Sequence, residues 1–148
     1  SGVVTTAFGT YAGQNPGVQR VNVKTGKVET ILYGMDRCDG LRTTPWGTIL
    51  ATEEAGESGG AYEIIDPLGT TGHWVADRGV QGGPAEIRVA IGSATASKNV
   101  IKRTALVAQS WEGLEVLDNG VVIGGDELRP SLDNGGGAVF RSATWCGA

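Results

Sequence analysis

Residues 114–128 read LEVLDNGVVIGGDEL, and this stretch decides the fold class. Asn119-Gly120 is the strongest short-range hairpin signal, because a two-residue turn of that type needs positive φ at both central positions. Val-rich arms flank the turn on both sides. Upstream, VQRVNVKTGKVETIL (18–32) repeats the plan, with apolar-alternating arms near 18–23 and 27–32 around Lys24-Thr25-Gly26-Lys27, where Gly26 supplies the turn. GESGGAYEIIDPLG (56–69) gives a glycine-rich turn, a strand around 60–65 and a stop at Asp66-Pro67. GGGAVFRS (135–142) reads as a further short strand after a glycine turn. No window of about 12 residues carries a 3.6-residue apolar period, although PAEIRVAIGSA (84–94) has room for one helical turn or two. The stretch 68–100 is the least legible. The expected class is all-β.

Composition narrows the functions. A chain of 148 residues fits one β-rich domain with a single useful core. Its 25 glycines and 5 prolines stay below the level at which low-complexity disorder is the default, so the chain should fold. The net charge of −4, with 12 Lys and Arg against 16 Asp and Glu, offers no basic surface for duplex nucleic acid. No apolar run approaches the ~20 residues of a membrane span, and SGVVTTAFG at the start lacks the pattern of a signal peptide.

Two segments share one plan. WGTILATEE (46–54) is followed by GGAYEIID (59–66), and NGVVIGGDE (119–127) by GGGAVFRS. Each runs from a turn glycine through an apolar strand ending in acids to a glycine turn and a second strand. Adjacent β-propeller blades look like this in sequence. The copies lie about 75 residues apart, beyond the ~40–45 of a compact blade, so extra strands or an insertion are expected between them. A propeller closes with at least ~4 blades, so the chain reads as part of a larger propeller or as a small β-rich domain with propeller-like hairpins.

RCDGLRTTPWGTILATEE (37–54) resembles the cysteine, T-P-W-G-T and Glu-Glu signature of the PhoX-type alkaline phosphatases. SWEGLEVLDNGVVIGGDEL (110–128) followed by GGAVFRS is similar to the same family's later Glu-Gly, Gly-Asp-acidic and Gly-Gly-aromatic pattern. The two matches cover about a third of the chain; Asp39 departs from the small residues common at its position. The resemblance implies an exported, periplasmic or extracellular β-propeller phosphomonoesterase acting on phosphorylated small molecules, with iron and calcium on the propeller axis. It makes Cys38, one of Glu53 and Glu54, and Glu112 the expected metal ligands, with Asp126 and Glu127 as further candidates. The chemistry agrees: iron accepts a thiolate, while calcium takes six to eight oxygens. In a regular strand Glu53 and Glu54 point to opposite faces, so one serves the site unless a bulge turns both inward. Arg37, Arg42, Arg88 and Arg129 are available to clamp a phosphate, and Arg129 directly follows GGDEL; the residues alone do not choose among the four. The signature also implies that Cys38 is not bonded to Cys146.

The same residues have plainer readings. Cys38 fits an ordinary buried cysteine or a disulfide with Cys146, Glu53 and Glu54 a solvated strand end, and Asp126 and Glu127 a turn. Trp46, Trp74, Trp111 and Trp145 fit core or turn packing. His73, the single histidine, has no assignable third group that would make a Cys-His nucleophilic pair with Cys38. A non-catalytic, calcium-binding β domain is the alternative function, and a calcium-dependent lactonase-like propeller a third.

Overall fold

The structure, a computed structural model, describes residues 3–6, 9–12, 15–131 and 135–142. It is all-β. Among the described residues the helical content is a single 3-10 turn at Gly56–Ser58. Strands β1 (Val3–Thr6) and β2 (Gly9–Ala12) pair as an antiparallel hairpin. Strands β3 (Pro16–Val21) and β4 (Val28–Tyr33) form the hairpin expected at 18–32, with Gly26 at φ +71° in its turn.

The next three strands make an antiparallel meander: β5 (Cys38–Thr43), β6 (Ile49–Glu53) and β7 (Ala61–Ile64). The chain then leaves this sheet. β8 (His73–Asp77) runs parallel to β4, and β9 (Glu86–Arg88) pairs with β8. PAEIRVAIGSA therefore holds a three-residue strand and turns where a helical turn had room to form. β10 (Val100–Lys102) returns to the outer edge of β7. A second meander follows, of β11 (Trp111–Val116), β12 (Val122–Asp126) and β13 (Val139–Ser142). Gly120 takes φ +80° in the Asn119-Gly120 turn. Trp145 and Cys146, and the expected absence of a Cys38–Cys146 bond, lie outside the described residues.

The first meander lies in a sheet of order β10-β7-β6-β5, whose residues enter two separate core clusters. Along β6 and β7 the side chains alternate faces. Ala51, Tyr62 and Ile64 pack with Ile31 and Leu32 of β4 and with Val75 and Ile87 of β8 and β9. Leu50 and Ala61 pack on the other side with Trp111, Leu114 and Val122. Burial on both faces explains why TILATEE and AYEII read as near-continuous apolar runs. Each fully buried Leu, Ile or Val contributes about 1.5–3 kcal/mol. Close packing leaves no room for a side chain at Gly124, where an added Cβ would overlap the Trp111 ring. The first strands of the two meanders, β5 and β11, lie side by side, and the acid-bearing ends of β6 and β12 come together there through the bridge between Glu54 and Ser110.

Candidate metal centre

The strand alternation that separates Glu53 from Glu54 gives the two carboxylates different environments. Glu53 is fully buried. Its Oε1 accepts the Asp36 backbone N–H at 2.8 Å, and its Oε2 accepts the Gly60 N–H at 3.1 Å and pairs with Arg78 Nη2 at 3.1 Å. Arg78 also reaches Asp36 Oδ2 at 3.3 Å. Burial raises the Glu53 pKa, opposed by these donors and by the Arg78 charge. This carboxylate ties the Met35–Asp36 segment, the Gly60 turn and Arg78 together.

Glu54 sits where the first meander touches the second. Its backbone N–H donates to the Arg37 carbonyl at 2.8 Å, and it bridges Ser110. Glu127 N–H donates to the Ser110 carbonyl at 2.9 Å, while Asp126 Oδ1 accepts the N–H groups of Ser110 at 3.1 Å and Leu128 at 3.3 Å. The register of β11 on β12 slips between Trp111, opposite Asp126, and Gly113, opposite Gly125. Glu112 is the extra residue of this bulge, and a bulge re-aims the side chain it frees. The result is that Glu54, Glu112 and Glu127 bring carboxylate oxygens within 4.8 Å of one another.

Three like charges at this separation perturb one another. The Glu54 pKa is raised, first by its hydrogen bond with Glu127, then by desolvation and by the charges of Glu127 and Glu112. Glu127 is lowered, first by accepting that bond and then by its contact with Arg129. Glu112 is raised, first by the Glu127 charge, then by desolvation and by Asp39. Arg129 pairs with Glu127 at 3.1 Å, and the charge of Arg37 acts on Glu54.

The remaining expected residues lie apart from this group. Cys38 stands opposite Glu53 in the β5–β6 register and lines a cleft of about 790 Å³ with Asn15, Met35, Asp36 and Arg37. The residue as a whole is exposed, yet its thiol is desolvated and feels the charges of Glu53 and Asp36. Desolvation, followed by those two negative charges, pushes its pKa up to about 12. Asp126 is engaged in closing its turn. Arg42 pairs with Glu115, and Arg88 with Glu86 and the Ala94 carbonyl.

Two buried polar clusters were not expected from the sequence. Besides the Glu53–Arg78 group, Glu63 Oε1 accepts the Trp46 indole N–H at 2.7 Å and the Thr48 hydroxyl at 2.5 Å, and its Oε2 accepts Arg103 Nε at 2.5 Å. An acid in the middle of the apolar run AYEII was the available signal, since such a position faces a buried partner or none.

No family model, curated protein or solved structure matches this chain.

Proposed function

We propose that this chain carries the cation site of a metal-dependent phosphomonoester hydrolase of the PhoX type, its meanders being blades of a larger β-propeller. The observation that carries the reading is the convergence of Glu54, Glu112 and Glu127 from three separate segments. Three carboxylates, completed by carbonyls or water, suit calcium, a hard cation that takes oxygen ligands. Calcium bound there would neutralise phosphoryl oxygens and lower the pKa of a bound water. Glu54, Glu112 and Glu127 would hold the ion, and Arg37 and Arg129 would orient the phosphate through charge-assisted hydrogen bonds. Iron rests on the resemblance and on Cys38, whose thiol must lose its proton before it ligates. An exported location rests on the resemblance alone.

The purely hard donor set, with Cys38 outside it, favours a second reading: a non-catalytic domain in which calcium clamps two meanders. Hydrolysis of p-nitrophenyl phosphate by the longest native form, before and after chelation and in Glu112→Gln, separates the two. Chelator-sensitive hydrolysis lost in the variant supports the phosphatase. Calcium binding without hydrolysis supports the clamp.

A further inference from the structure

His73 opens β8 and is 92% hidden from solvent, with 8% of its surface exposed. Its Nδ1 lies 2.8 Å from the Ser97 hydroxyl. That hydroxyl oxygen already accepts two backbone N–H groups, from Asn99 at 3.1 Å and Val100 at 3.0 Å. A serine oxygen has two lone pairs and one proton, so both acceptor sites are used and the proton goes to the imidazole. His73 is thereby fixed as the tautomer with Nδ1 bare and Nε2 protonated.

The bond ties β8 to the turn that precedes β10, a turn that also bridges β9 through Arg88 and Ala96. β8 belongs with β4 and β9, whereas the turn holding Ser97 leads directly into β10 on the edge of the central sheet. The Asn99 side chain adds a bond to Thr70 at 3.2 Å, and Ser97 N–H donates to the Ile87 carbonyl at 2.7 Å. Ser97 also lines a cleft of about 400 Å³ with Ile87, Arg88, Val100 and Lys102.

We propose that His73 is an acid-sensitive latch: protonation of its ring breaks the Ser97 bond, frees the 95–99 turn from β8 and opens the cleft behind it. A proton on Nδ1 would point a donor at a hydroxyl whose acceptor sites are both occupied. The bond then has two donors and no acceptor. The positive ring would also sit desolvated, and the titratable groups on the surrounding elements do not compensate. Those groups are Glu29 and Tyr33 on β4, Asp77 on β8, Glu86 and Arg88 on β9, Lys102 on β10, and Asp66 and Lys98 in the flanking turns. Burial alone sets the direction of the His73 shift, which is downward. For a base whose folded pKa is depressed, stability is fully present above its unfolded value of about 6.5 and is lost as pH falls below it.

The test uses the wild-type chain and Ser97→Ala, by amide hydrogen exchange corrected for intrinsic rates, together with the NMR titration of the His73 ring. Between about pH 7.5 and pH 5 the Asn99 and Val100 amides of the wild type should lose protection by about tenfold, in step with the ring, while β6 amides keep theirs. Ser97→Ala should show low protection of those two amides at both pH values. The proposal is overturned if the ring titrates with no change at Asn99 and Val100, if protection falls evenly over the whole chain, or if Ser97→Ala keeps the wild-type behaviour.

Discussion

Glu53 and Glu54 are neighbours in sequence and opposites in environment. Glu53 meets two backbone N–H groups and Arg78 in the interior, as Glu63 meets Trp46, Thr48 and Arg103. Their donors are fixed by the fold, so the carboxylates are satisfied without a ligand. Glu54 meets Glu112 and Glu127, and the group is left with more negative charge than Arg37 and Arg129 offset. The difference teaches how to separate acids that hold a fold from acids that the proposal assigns to a cation: the first are surrounded by donors, the second by one another.

The comparison breaks most visibly at the interior. Arg78→Ala leaves Glu53 buried without its charge partner, and removing one member of a buried pair costs about 3–5 kcal/mol. Because Arg78 is itself part-exposed, the lower end is expected in a urea unfolding series. Glu54→Gln should leave the fold intact and make the cation-free protein no less stable, since it removes repulsion. A loss comparable to that of Arg78→Ala would erase the distinction between the two acids.

The second effect is on affinity. Losing one of three carboxylates, in Glu54→Gln or Glu112→Gln, should weaken calcium binding on the order of tenfold or more, because ligand charge sets calcium affinity. Glu115→Gln, on the same strand but outside the cluster, should leave binding unchanged.

The third effect is on pH. Glu54 and Glu112 titrate above the ordinary carboxylate value of 4.5 in the folded chain, so their contribution to stability is present below that value and lost as pH rises through their folded pKa. Glu127 works in the opposite direction, and Glu53 in the same one. Glu29 and Glu63, held below that value, also work in the opposite direction, so the part carried by Glu54 and Glu112 should appear in thermal unfolding, without calcium, as stability falling while pH rises above about 4.5. Calcium should flatten the fall, and Glu54→Gln should reduce it while leaving the part due to Glu53. A fall unchanged by both would assign it to the interior.

The smallest effect is at the exposed Arg42–Glu115 pair, 3.3 Å long and more than half exposed on both sides. Glu115→Ala should change stability by about 0–1 kcal/mol in the same urea series, since solvent and salt screen such pairs.

Local signals carried much of this into the sequence. Gly26 and Gly120 mark hairpins because each takes positive φ in its turn, and both hairpins occur where expected, although Asn119 does not share that conformation. Period-two alternation separated Glu53 from Glu54, although only the structure shows which one meets Glu112. The segment 68–100 stayed opaque because its strands are set by distant partners: β8 lies parallel to β4 and β10 closes the edge of β7. Its three-residue strands are too short to display a period. The aim of Glu112 depended on a bulge between β11 and β12, a register feature that no local residue pattern announces. Arg78 and Arg103 were hidden for the same reason, each joining its carboxylate across a long stretch of chain.

Calorimetric titration of calcium into the wild-type chain, Glu112→Gln and Glu115→Gln tests the central claim most directly. The account predicts saturable binding by the wild type and by Glu115→Gln, with Glu112→Gln weaker by on the order of tenfold or more. No binding by the wild type, or equal affinity in all three proteins, would contradict it.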